Sequence, residues 1–303
     1  MAGELRIGTA GWTDPTLIKC KCFYPPEAKT AEERLRFYAS QFDTVELDTS
    51  FYAIPPVDSA IGWARQTPDG FLFDVKAFRL FTQHQTPPKM LPAEVRDEAT
   101  PLMNSKGNVY YEDLPEALVG ELWQRFQDSL SPLKTAGKLG YVLLQFPDWV
   151  TKRHSNLRYI EKCAARLEGY DIAVEFRHRS WLGDDDRRET LAFLREQNLA
   201  LVIVDEPQGF NSSVPPVWEA TSPDLSVVRF HGRNTETWMK RGLKSAAERF
   251  DYLYSTSELR EFVEPVQRLR EQSRQVHAVF NNCMEDKAQR NAREFATMLV
   301  GLT

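Results

Sequence analysis

Apolar residues return along this chain at two different spacings. Eight short runs rich in β-branched and aromatic residues read as strands: "LRIGTA" (5–10), "DTVELD" (43–48), "FLFDVKA" (71–77), "GYVLLQF" (140–146), "DIAVEF" (171–176), "LALVIVD" (199–205), "SVVRFHG" (226–232) and "QVHAVFNN" (275–282). Between most of them the apolar positions recur every three or four residues, which predicts helices over 31–42, 115–134, 156–169, 186–198, 255–272 and 286–300. Ser257 and Asp286 are candidate caps for the last two. The link after the sixth run, "EPQGFNSSVPPVWEATSPD", is too rich in Pro and Ser for a regular helix, so one helix of the series is expected to be degenerate.

Strand and helix alternating eight times predict parallel strands joined by right-handed crossovers, closed into an α/β fold of the (β/α)8, TIM-like type. An open doubly wound sheet would be expected to carry G-x-G-x-x-G in its first turn, and "GTAGWT" does not fit. A chain of 303 residues suits a single such domain, spanning 1–303. The stretch 79–114, with five prolines or glycines scattered through it, reads as a long lid-like loop.

Side chains alternate across a strand, so each run splits into two faces. One face is apolar and suits packing under helices. The other ends in polar groups: Glu46 after the second run's start, Asp74 and Lys76 on the third, Gln145 on the fourth, Glu175 and Arg177 on the fifth, Asp205 on the sixth, Arg229 and His231 on the seventh, and Asn281 on the eighth. Barrel active sites form at this C-terminal end. Buried charges are costly even when paired, so polar tips on seven strands imply a shared mouth built for binding or catalysis rather than core; mutually neutralising structural ion pairs are the bland alternative for any one of them.

Glu46, Glu175 and Asp205 are candidate bases or acids, and Lys76 and His231 candidate proton donors; Lys76 also suits a Schiff-base role. Arg177, Arg229, Arg233, Asn281 and Asn282 gather where loops after the seventh and eighth strands often hold phosphate, with Gln145 and Tyr52 as further contacts. A divalent metal is compatible with three carboxylates and a histidine, although the arginines beside them oppose it and no metal-binding spacing such as H-x-H occurs. His84, His154 and His277 are weaker candidates, the last at the start of its strand.

The formal charge of −5 removes a generally basic nucleic-acid coat from consideration but leaves room for a local basic cleft, so nucleic acid stays open as a partner. No apolar run reaches membrane-spanning length and the N-terminus lacks a signal pattern, so a cytoplasmic protein is expected. Cys20 and Cys22 form a C-x-C pair with neither zinc nor disulfide-framework spacing, and no role is assigned to them.

The stretches "IGTAGWTDP", "FYPP", "FDTVELDTSFYAIP", "TPDGFLFDVKAFRLFTQH", "GKLGYVLLQFP", "AVEFRHRSW", "LVIVDEP", "VVRFHGRN" and "VFNNCMEDKAQRNA" resemble, in order and over nearly the whole chain, the motifs of the YecE-like family, known as domain of unknown function number 72. The resemblance implies a TIM-barrel-like fold and brings no reaction, cofactor or catalytic set. Its motif positions include Glu46, Lys76, Gln145, Glu175, Arg177, Asp205, Arg229, His231 and Asn281. From the residues, the expected function is acid/base chemistry on an anionic, phosphate-bearing small molecule. Metal-assisted phosphodiester hydrolysis of nucleic acid, or ligand binding without turnover, are the alternatives.

Overall fold

The eight apolar runs close into a barrel of eight parallel strands in order 1 to 8 in the computed structural model, which describes residues 2–300 apart from Asp185 and Lys244. The strands are β1 (Glu4–Ala10), β2 (Thr44–Leu47), β3 (Leu72–Lys76), β4 (Leu139–Gln145), β5 (Ile172–Glu175), β6 (Ala200–Asp205), β7 (Leu225–Phe230) and β8 (Gln275–Phe280). The pairing of β8 with β1, Gln275 beside Glu4 through Phe280 beside Thr9, leaves no free sheet edge. Of the expected span 1–303, Met1 and residues 301–303 lie outside the described residues.

Around the barrel run α1 (Pro15–Cys20), α2 (Ala31–Ala39), α3 (Val57–Gln66), α4 (Ala93–Ala99), α5 (Glu116–Thr135), α6 (His154–Arg166), α7 (Arg187–Glu196), α8 (Thr235–Trp238), α9 (Thr256–Gln272) and α10 (Lys287–Val300). No helix fills the link between β6 and β7, as its Pro and Ser content predicts. The strands β2, β6 and β7 are buried along their whole length, because helices cover one face and the barrel interior the other. Among the described residues no helix is long and apolar enough to cross a membrane.

Three details depart from the sequence pattern. Helix α3 has only Ala60 fully buried, so its apolar stripe is too thin to stand out, yet the barrel needs a crossover between β2 and β3. The cap of α9 is Ser255, not Ser257: Ser255 accepts from the Glu258 backbone N–H while the Glu258 carboxylate accepts from the Ser255 N–H. The S-x-x-E spacing of a capping box carried that signal. Segment 79–114 is not irregular; it holds α4, four short 3-10 turns and a bridge between Thr86 and Val109, and it buries Leu91, Val95, Ala99 and Val109. Its Phe81 stacks on Trp123 of α5 with ring centroids 3.7 Å apart. A connection this long carries its own core.

Candidate active site

Residues paired side by side in a parallel barrel share a face, so register sorts the strand tips. Phe230 stacks on Phe280 at 4.5 Å and contacts Phe262 of α9 at 4.9 Å, which places it outside the barrel. Its neighbours Arg229 and His231 therefore face inward. Ala10 beside Glu46, Glu46 beside Asp74 and Gln145 beside Glu175 complete the inward set on β1 to β5.

Arg229 lies at the centre, fully buried. One guanidinium nitrogen donates to Glu46 Oε1 and another to Glu175 Oε2. Arg177 follows with Nε 2.5 Å from Glu175 Oε1, a 2.9 Å hydrogen bond to Glu206 Oε2 and a third nitrogen 3.1 Å from His231 Nε2. His231 Nδ1 is 2.9 Å from the Asn281 amide. Deeper in the barrel, Asp74 Oδ2 accepts from Thr44 Oγ1 at 2.9 Å and lies 3.0 Å from His277 Nδ1. A Cβ on Gly140 would come within 2.1 Å of Asp74 Oδ1, so only glycine leaves room for that carboxylate.

These contacts drive the buried carboxylates apart. Burial would raise Glu175, but Arg177, Arg229 and His231 together hold it well below the carboxylate range. Glu46 has only Arg229 and Lys76 in its favour; burial, with the charges of Asp48 and Glu175, pushes it up to about 8. Two carboxylates on one guanidinium thus divide into a fixed anion and a group that titrates near neutrality. Burial, then Arg177, lowers His231 to about 3, so it is a neutral imidazole. Burial likewise raises Glu206 to about 8.

Above this layer opens a cavity of about 710 Å³. Glu46, Asp48, Gln145 and Asn281 line its floor, Lys76, His84 and Arg177 one side, and Trp12, Trp63, Phe51, Tyr52 and Phe250 much of the rest. Lys76 Nζ lies 3.1 Å from Asp48 Oδ1 and 4.7 Å from the centroid of Phe51. Glu46 Oε2 has no hydrogen-bond partner although it is buried. A larger cavity, about 970 Å³, lies at the opposite, N-terminal end around Gly3, Leu5, Phe42 and Asp43, away from the converging strand tips.

Of the expected catalytic residues, Glu46 and Lys76 line the mouth, and Glu175 and His231 form the layer beneath it. Asp205 does not join them. It stands beside Phe230 in register and so faces outward, where Arg233 donates to both of its oxygens at 2.9–3.1 Å and Tyr254 Oη at 2.7 Å. The inward residue is the next one, Glu206. Arg233 goes with Asp205 because Gly232, at φ +83°, turns the chain after His231. Asn282 also lies outside, donating to the Tyr252 carbonyl and Asn291 Oδ1 at 2.9 Å. Among the expected ligand contacts, Tyr52, Gln145, Arg177 and Asn281 line the cavity, and Arg229 is sealed below by its two carboxylates. His84 and Asp48, which sequence reasoning set low or left out, are in the mouth. Among the described residues, no three His, Cys, Asp or Glu side chains come together in a way that could hold a metal ion; Arg229 occupies the space between Glu46 and Glu175.

Residues 6–302 match the family model described as "Protein of unknown function DUF72". The chain belongs to the DUF72 family. This is the family that the YecE-like motifs indicated. Within reach of it, the UPF0759 protein YunF of Bacillus subtilis (strain 168) is 33% identical over 297 residues, covering 97% of this chain and 94% of YunF. A DUF72 crystal structure from Thermotoga maritima MSB8 is 30% identical with a TM-score of 0.75, covering 98% of this chain and 99% of that one. One from Enterococcus faecalis V583 is 26% identical with the same TM-score and 98% coverage of both chains. The DUF72 fold is thus the TIM-like barrel seen here.

Proposed function

We propose that this DUF72 protein is an enzyme that transfers a proton to or from a small anionic molecule held in the barrel mouth, with Glu46 as the acid/base. The carrying observation is Glu46 itself: a fully buried carboxyl on the cavity floor, raised to about 8, with Oε2 unpartnered. A buried polar atom without a partner is a cost that a bound ligand or water removes, and a group titrating near the working pH is the efficient proton carrier. Glu175, held ionised and out of the cavity, anchors Arg177 and Arg229 instead. Lys76 and Arg177 supply the positive charge for an anionic group such as a phosphate.

Two measurements test this. The Glu46 carboxyl, followed by 13C NMR in the full chain against Glu46→Gln, is expected to titrate near 8; titration in the ordinary carboxylate range removes the acid/base role. A panel of phosphorylated and carboxylated small molecules, followed by NMR, is expected to include one that the protein converts and Glu46→Gln does not, with the fold of the variant intact. Saturable binding of such a compound with no conversion would point to a ligand-binding barrel.

A further inference from the structure

The sequence placed anion recognition after β7 and β8, and there the positive charges are already answered. Arg229 has Glu46 and Glu175, and Arg233 has Asp205, with Glu258 and Glu261 nearby. The side of the mouth that follows β3 is different. Lys76 has Asp48, but Arg79, one turn further on, has no carboxylate within ion-pair distance among the described residues. Among the described residues its side chain hydrogen-bonds only to the sulfur of Met90, at 3.3 Å, and its Nε is buried without a partner. Lys76 and Arg79 both lie over the ring of Phe51, at 4.7 and 5.3 Å from its centroid, and Phe51 lines the cavity.

His84 completes this corner. Its Nδ1 lies 2.9 Å from the Thr82 hydroxyl, and its ring stands edge-on to Phe51 at 4.8 Å and to Trp149 at 5.8 Å. Burial, and then the charges of Lys76, Arg79 and Arg177, push it down to about 3, so it stays neutral at physiological pH. Thr82 Oγ1 also donates to the Arg79 carbonyl at 3.3 Å, and the His84 tautomer with its proton on Nε2 is the one that could donate to a bound anion. Lys76 is paired with Asp48, and Arg177 with Glu175 and Glu206. The charge left without a carboxylate partner among the described residues is that of Arg79, which stands beside the cavity-lining Phe51 and His84 rather than lining the cavity itself, and the shortage of negative charge is there. An oxyanion is the group that fills such a shortage.

We propose that Lys76, Arg79, His84 and Arg177 form the oxyanion subsite of the mouth, and that segment 79–114 is there to deliver Arg79 and His84 to it. This rests on the reading of the mouth as the site of an anionic substrate and moves its recognition from the β7–β8 end to the β3 end. Phosphate monoesters and carboxylates share the required chemistry. A doubly charged anion such as phosphate or sulfate is drawn to these cations more strongly than a singly charged carboxylate.

Calorimetric titration of the full chain with inorganic phosphate, sulfate and acetate tests the subsite. Phosphate and sulfate are expected to bind in the millimolar range or tighter, and acetate at least about tenfold more weakly. Arg79→Gln is expected to weaken phosphate binding by about tenfold or more, as loss of a charge-assisted contact does, with Arg79→Lys recovering part of it. Arg274→Gln, at the far end of the barrel, is the control and should bind as the unaltered chain does. Stronger binding of acetate than of phosphate would keep the subsite but make the substrate a carboxylate. Absence of heat with all three anions at about 10 mM, or equal binding by Arg79→Gln in a variant with unchanged melting temperature, overturns the proposal. The two readings fail separately: the titration of Glu46 is independent of whether any anion binds at Arg79.

Discussion

Arg229 is where the residue chemistry of this barrel is decided. Its guanidinium is completely buried and meets Glu46 and Glu175 on two sides, and the ionised Glu175 and Arg229 each depend on the other for charge compensation. Removing one member of a buried ion pair leaves an uncompensated charge and costs about 3–5 kcal/mol. Arg229→Met is therefore expected to lower stability by that order, measured by denaturant unfolding. Glu46→Gln should behave differently, because Glu175 remains to neutralise Arg229. At pH 6 Glu46 is mostly protonated and the change should be small; at pH 9 the unaltered chain must bury an ionised Glu46 and the variant need not. The melting temperature of Glu46→Gln is expected to gain on that of the unaltered chain as pH rises between 6 and 9, and a difference constant with pH would contradict the raised Glu46. The sequence located these three residues because alternation along a strand is a local rule. It did not separate Glu46 from Glu175, since their difference lies in the neighbours each meets: Arg177 and His231 for one, Asp48 for the other.

At the scale of elements, β6 shows why strand pattern alone misplaces a tip. In "ALVIVD" both faces are apolar, Ala200, Val202 and Val204 on one and Leu201 and Ile203 on the other, so the pattern carries no phase. Pairing with β7 sets it: Val204 stands beside inward Arg229 and Asp205 beside outward Phe230. Asp205 then becomes the centre of a strut in which Arg233 and Tyr254 join the end of β6 to the start of α9, where Arg233 also reaches Glu258 at 3.4 Å. Asp205→Asn is expected to cost about 1–3 kcal/mol in unfolding free energy, as loss of a charged hydrogen-bond acceptor does, while phosphate binding stays unchanged. Weakened binding without loss of stability would return Asp205 to the site. At the start of the same helix, Ser255→Ala should cost about 1 kcal/mol by removing one side of the capping box, readable in the same unfolding experiment.

For the whole molecule, the buried titratable groups set a stability profile with two falling sides. Glu46 and Glu206 have folded values near 8 against an ordinary 4.5, so the folded chain holds their protons longer and stability is lost as pH rises through that window. His84 and His231 have folded values near 3 against 6.5, so the unfolded chain takes up their protons first and stability is lost as pH falls through that window. Glu175 and Asp48, held below the carboxylate range, add to the acid-side loss below their ordinary values. The two opposed pairs offset one another between 4.5 and 6.5, and thermal unfolding is expected to show a plateau there with decline on both sides. A melting temperature still rising from pH 7 to 9 would contradict the burial of the two glutamates. The amino-acid sequence by itself determined the barrel, since eight apolar runs alternating with helical spacing satisfy their hydrogen bonds and cover their faces in few other ways, and it marked Glu46, Lys76, Gln145, Glu175, Arg177, Arg229 and Asn281 as polar tips. Only the closed tertiary structure decided which tips share a space and which carboxylate keeps its proton. Register between strands distant in sequence fixes the first, and the local balance of burial against charges from β2, β5 and β7 fixes the second; neither quantity exists along a single segment of chain.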